Sequence, residues 1–186
     1  PMSTITRPVW HPVRAGSPFG IASGPAPSHC TRTSICWTTV SGKNCARSCG
    51  AAYSPPTTIN TSVDVTISGV ISGSSTLTKS GTGTLTLTGN NTYSNNTIIQ
   101  AGALSITNGD NISSGFIAIQ NAGRLIVSSS TTLSNNVMLL SANSSVSVGS
   151  GDSLTLSGVV SGTGSLIKAD SGTLILSGSN TYSGAT

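Results

Sequence analysis

The chain has 186 residues, of which 35% are hydrophobic and only 6% charged, and its formal net charge is +4. The length suits one domain, but a soluble domain ordinarily carries about 25% charged residues, so Ser, Thr, Gly and Asn must supply the polar surface here. Residues 1–56 hold Arg7, Arg14, Arg32, Lys43 and Arg47 with no acid, whereas 57–186 hold Lys79, Arg124 and Lys168 against Asp64, Asp110, Asp152 and Asp170; the positive excess belongs to the first segment, which argues against a nucleic-acid surface on the rest.

In chain order, residues 1–56 come first. They contain every Pro, every Cys, both Trp and both His. They show no apolar periodicity, and an irregular, largely disordered segment is expected, either an unrelated leader or a wrong-frame translation. Cys30, Cys36, Cys45 and Cys49 are spaced C-x5-C-x8-C-x3-C. That pattern lacks the tight C-x2-C pairs of zinc frameworks and leaves two disulfides as the other reading. No apolar run reaches the length of about 18 residues needed for a membrane-spanning helix. The chain begins at Pro1 without a readable signal peptide, and is expected to be a fragment cut at both ends.

From residue 57 onward the pattern changes. Alternating runs recur at Thr84–Leu87, Ala103–Ile106, Arg124–Val127, Ser145–Val148 and Ser153–Leu156. Successive side chains lie on opposite faces of a strand, so each run offers one apolar face. Gly and Asn follow nearly every run, as tight turns require. The runs also keep a period near 20. One track is Val65, Leu85, Leu104, Leu125, Val146 and Leu166; another is Leu77, Ile98, Ile117, Val137, Leu154 and Leu174. Two such ladders are what a right-handed parallel β-helix of about 5–6 coils produces. An antiparallel sandwich is the competing architecture. The fold expected is all-β, with residues 57–186 as one β-helix repeat region.

A longer repeat overlies this period. Residues 68–97 and 157–186 are identical at 17 of 30 positions, 89 residues apart and without a gap. The shared positions include Leu77/Leu166, Lys79/Lys168, Leu85/Leu174, Leu87/Leu176, Gly89/Gly178, Asn91/Asn180 and Tyr93/Tyr182. The spacing suggests a superrepeat of roughly four coils. Leu85 is expected on an inner ladder, Thr86 and Asn91 on the outer surface, and Tyr93 and Tyr182 packed over a turn with their hydroxyls at the surface.

Residues 81–106, GTGTLTLTGNNTYSNNTIIQAGALSI, resemble the autotransporter-associated β-strand repeat, or passenger-associated transport repeat. The second copy matches through Gly172, Leu174, Leu176, Gly178, Asn180, Tyr182 and Gly184, and Asn95 stands where the family usually has Gly. The resemblance implies a secreted or surface-displayed passenger of a Gram-negative type V secretion protein. It further implies a right-handed β-helix and a C-terminal translocator β-barrel in the full-length protein. In that family the repeat is associated with folding and export rather than with chemistry.

Two motifs suggest chemistry and are discounted by the repeat. Gly151-Asp152-Ser153-Leu154 spells a secreted-esterase nucleophile block, but no His follows it to serve as base. Ser165-Leu166-Ile167-Lys168 spells S-x-x-K, but that motif belongs on a helix and the first copy has Thr76 in place of the Ser; Lys79 and Lys168 are expected to be solvated. The four Asp fall in no common register, so paired acid–base work is not expected. No catalytic, cofactor or metal site is assigned. The expected function is a structural β-helix stalk of an exported passenger at the cell surface, needing no enzyme activity and no cofactor. The alternative is an adhesin-type module for a host glycan, matrix or self-association.

Overall fold

The structure, a computed structural model, describes residues 39–40, 43–44, 51–52 and 57–186. Most of segment 1–56, including the four Cys and both His, lies outside the described residues. Within it, Thr39–Val40 and Lys43–Asn44 pair antiparallel, and Ala51–Ala52 pairs in parallel with Ile71–Ser72.

Residues 57–186 wind into a parallel β-solenoid of about six coils, all but the third visiting three sheets in turn. The first sheet stacks Thr57–Asn60, Leu77–Ser80, Thr97–Ile99, Ile117–Ile119, Val137–Leu139 and Val160–Ser161. The second stacks Val65–Ile67, Thr84–Leu87, Ala103–Ile106, Arg124–Val127, Ser144–Val148 and Leu166–Ala169. The third is in two pieces: Ala51–Ala52, Ile71–Gly73 and Thr92–Tyr93 below, Thr131–Leu133, Ser153–Leu156 and Thr173–Leu176 above. In the third coil a 3₁₀ turn, Gly109–Asn111, stands where that strand would be. Among the described residues, every strand pair apart from the Thr39–Val40 hairpin is parallel, which excludes the sandwich. With about 4.8 Å per coil, the first and sixth coils lie about 24 Å apart.

The period-2 pattern becomes alternation between lumen and surface. Thr84–Leu87 reads half-buried, buried, half-buried, buried, and Leu85, Leu87, Leu104, Ile106, Leu125, Val127, Val146 and Val148 all have no exposed surface. Each such side chain contributes roughly 1.5–3 kcal/mol by leaving water.

The first inner column runs Val65–Leu85–Leu104–Leu125–Val146 as the period implies, but its next member is Lys168, not Leu166; Leu166 stacks on Ser144. The corner between Ser144–Val148 and Ser153–Leu156 is longer than the one below it, between Arg124–Val127 and Thr131–Leu133, and shifts the register by two. The second track needs more correction. Leu77 stacks under Thr97, Ile117, Val137 and Val160, while Ile98 faces outward beside Thr78, and Leu154 and Leu174 stack together on the third sheet. A period of 20 is satisfied equally by residues one face apart.

The superrepeat is likewise not a whole number of coils. Strands Ile71–Gly73, Leu77–Ser80 and Thr84–Leu87 lie on the third, first and second sheets; the strands 89 residues later, beginning at Val160, Leu166 and Thr173, lie on the first, second and third. Four coils carry Leu77 to Val160, and the remaining residues cross to the next sheet at Leu166. One repeat is therefore four and one-third coils, and its two copies sit on different faces.

Close coil stacking explains the repeat glycines. A Cβ on Gly89 would press on the Gly69 carbonyl below it, and one on Gly178 on the Gly158 carbonyl. Gly89→Ala should therefore cost about 1–3 kcal/mol through overpacking, seen as a lower denaturant midpoint. Leu85→Ala, which leaves a void in the lumen, should cost about 2–5 kcal/mol; an unchanged melting temperature for Leu85→Ala would contradict its place on the inner column.

Candidate functional site

The polar groups that set this solenoid apart from a plain apolar stack lie at its corners. Lys79 follows Leu77 on the first sheet at an inward position, stacked between Ile59 and Ile99. It is wholly buried, contrary to the expected solvated lysine. Its four-carbon stem packs in the lumen, and its Nζ donates to the Ser80 and Gly81 carbonyls at 2.8 Å and to Ala101, one coil up, at 3.2 Å. Desolvation pushes its pKa below the ordinary lysine value and Asp64 partly offsets this; three carbonyl acceptors favour the charged form. The equivalent Lys168, on the second sheet, bonds to the carbonyls of Ala169 and Asp170 at 2.6 and 2.8 Å. Gly81 and Asp170 both have positive φ, 76° and 62°, which turns the corner carbonyls onto the ammonium.

Tyr93 is also buried, and its hydroxyl meets Thr97 Oγ1 at 2.7 Å rather than water. Burial raises its pKa. Tyr182 and Thr186 repeat the contact at 2.6 Å, more exposed. A buried ring cannot stack on a sugar, so Tyr93 is not a ligand platform. Asn91 likewise lies inside, not on the outer surface: its Oδ1 accepts from Ile71 N at 2.7 Å, and Asn180 does the same for Val160 N at 2.8 Å. The same residue makes the same bond on two different faces.

Of the other repeat positions, Leu77, Leu85, Leu87, Gly89, Leu104, Leu125, Val146, Leu154 and Leu166 are buried, and Leu174, Leu176, Gly178 and Asn180 are half-buried. Ser153 opens a strand, its amide donating to Ser130 Oγ at 3.0 Å, and Leu154 is buried behind it. Ser165 precedes a strand and Lys168 lies within it, so the motif is not on a helix. Asp64 accepts from Thr84 N at 2.7 Å, which lowers its pKa, and Asp170 reaches Arg124 at 3.9 Å in an exposed pair that contributes little. Among the described residues no group of three or more His, Cys, Asp or Glu could hold a metal.

A concave feature lies at the break in the third sheet. A cleft of about 590 Å³ opens there, with Asn90–Thr92 below, Thr132–Asn135 above and Gly109–Asp110 and Ile112–Ser114 behind. Buried asparagines tie its back together. Asn91 Nδ2 donates to the Asn111 carbonyl at 2.5 Å, Asn111 Nδ2 to Gly89 at 3.2 Å, and Asn135 Nδ2 to Ser113 and Gly115 at 2.7 and 2.6 Å. Asn111 Oδ1 accepts from Thr107 N and Oγ1 and from Asn108 N, holding the 3₁₀ turn. Nothing in the periodicity marked Asn111 or Asn135. The one signal was the missing alternating run between Ile106 and Ile117.

Residues 77–106 and 166–186 match the family model described as passenger-associated-transport-repeat. The chain is also 40% identical over 121 residues, 58% of its own length, to "Adhesin BmaC autotransporter" of Brucella suis biovar 1 (strain 1330). Two stretches of the chain are thus similar to the repeat of autotransporter passengers. The chain spans 4% of that relative's length. No solved structure matches it. These matches support a place at the cell surface or outside the cell. Lys79 and Asn91, the polar residues that the passenger repeat keeps in both copies, are corner fasteners.

Lys79→Met, which keeps the buried stem but removes the ammonium, should orphan corner carbonyls and lower unfolding free energy by at least about 1–3 kcal/mol. Chemical denaturation compares it with the parent; equal stability would mean that the carbonyl contacts contribute nothing.

Proposed function

We propose that residues 57–186 act as a load-bearing stalk segment of the passenger, and that the segment supports export as well as display. One observation carries this: parallel pairing passes through about six successive coils with the lumen filled by stacked Leu, Ile and Val. Each coil buries its apolar edge on the one before, so coils can be added one at a time as the chain emerges. A rod whose backbone bonds run along its axis holds what lies beyond it away from the membrane. The polar groups described above satisfy backbone atoms at corners, which favours a structural role over an enzymatic one. In the full-length protein the partner would be a C-terminal translocator β-barrel, recognisable as ten-residue alternating strands.

The second reading is adhesive, and the relative's name, an adhesin, is what favours it. The outer column Thr66–Thr86–Ser105 on the second sheet is a hydroxyl-rich surface open to a glycan or matrix protein.

Single-molecule stretching of the chain from its two ends separates the readings. A stalk should yield in steps of about one coil; at roughly 3.3–3.6 Å per extended residue and a coil period near 20, each step is about 70 Å. Featureless extension at low force would defeat the load-bearing reading. Saturable binding to host cells, abolished by Thr86→Arg with the melting temperature unchanged, would favour the adhesin.

A further inference from the structure

We propose that Asn108 is a self-modifying site: the Gly109 amide nitrogen attacks its side chain and converts it to aspartate and isoaspartate, and the conversion loosens the third coil. This goes beyond the stalk reading and does not depend on it.

Asn108-Gly109 is the chain's only Asn-Gly pair. An asparagine holds its amide carbon within reach of the next main-chain nitrogen, so ring closure is intramolecular and gains from proximity. A Cβ on the next residue crowds that attack, and glycine has none. The glycine here answers no packing need. At Gly89, Gly115, Gly158 and Gly178 a Cβ would come within 2.6 Å of a carbonyl oxygen in the coil below. At Gly109 the nearest atoms stand 3.5 Å from that point, an ordinary contact, and φ is not positive.

The surroundings favour the reaction. Asn108 is exposed, so solvent reaches its amide. Its Oδ1 accepts from Asp110 N at 3.0 Å, and an N–H so placed stabilises the negative charge that attack builds on that oxygen. The Gly109 N–H, first in the 3₁₀ turn, has no acceptor within the turn, so no turn bond is lost when it gives up its proton. Asn108 is extended, with ψ 175°, and a partial rotation about ψ carries the Gly109 nitrogen onto Cγ.

The steps balance without any oxidant. The Gly109 proton passes to solvent, the N–Cγ bond forms, the Cγ–Nδ2 bond breaks, and Nδ2 leaves as ammonia. Water then opens the succinimide ring. Cleavage of N–Cγ gives aspartate. Cleavage of the original peptide bond gives isoaspartate, whose main chain runs through Cβ and Cγ and is longer by a methylene. That extra length enters where the third coil has no strand on the third sheet and relies on Asn111. Asn111 N donates to Asn108 O at 3.3 Å, and its side chain bonds to Thr107 N, Asn108 N and Gly89 O. Moving Asn108 strains all of these, so residues 107–116 open more often.

The test holds the whole chain in mildly alkaline buffer and follows amide-to-acid conversion at each asparagine by peptide mass spectrometry. Electron-transfer fragmentation tells isoaspartate from aspartate. Asn121 and Asn143, exposed and followed by Ala122 and Ser144, are internal controls. Conversion at Asn108 should outpace both by about tenfold or more, and Gly109→Ala should abolish the excess. Circular dichroism confirms that the variant folds. Hydrogen exchange at 107–116 should quicken in the aged parent and not in equally aged Gly109→Ala. Conversion no faster than at the controls, or seen only in denaturant, overturns the site. Unchanged exchange in converted protein overturns the loosening.

Discussion

The structure depends on one constraint: each coil's backbone must hydrogen-bond to the coil below at a fixed spacing, in parallel and in register. A parallel ladder leaves no freedom to slide, because a slip of one residue would turn the apolar side chains outward. The lumen follows from it, since residues of equal phase in successive coils are forced into columns. The glycines follow as well, because at corners the next coil's backbone lies where a Cβ would be. The buried polar groups answer the same constraint. Corners break the ladder and leave main-chain groups that Lys79, Asn91, Asn111 and Asn135 satisfy from within.

The alternation of single runs read directly as strands, and the inner column from Val65 to Val146 could be placed residue by residue. That was possible because its coils differ in length by only a residue or so. Register was lost at Leu166, because a longer corner after Ser144–Val148 moves Lys168 into the column, and in the second track, where Leu154 matched the period from a neighbouring face. Periodicity measures distance along the chain and carries no information about azimuth. Burial of charge was also misread. Lys79 looked like a surface residue because charge usually is, yet its stem is as apolar as leucine and its ammonium finds carbonyls that a corner exposes to the lumen. Tyr93 was misread in the same way, its hydroxyl being satisfied by Thr97, four residues on. The cleft was legible only as a silence in the pattern, the stretch after Ile106 where no alternating run appears.

The repeat and the break play opposite parts. The repeat copies are the most regular pieces of the rod, with polar residues turned inward and spent on the backbone. The break, between the two copies, is where the third sheet gives up strand pairing and buried Asn91, Asn111 and Asn135 tie the third coil to its neighbours instead.

The fractional advance of the superrepeat adds a screw symmetry. A step of four and one-third coils turns each copy by about 120° while raising it about 21 Å at 4.8 Å per coil. Copies continuing at this step would return to the starting azimuth only at the fourth, about 62 Å along the axis. Equivalent surface points would then trace a sparse spiral, and a flat partner pressed against one side would meet one copy in three. Whatever the module presents is dispersed around the rod, which works against side-by-side zippering of identical rods through matched stripes.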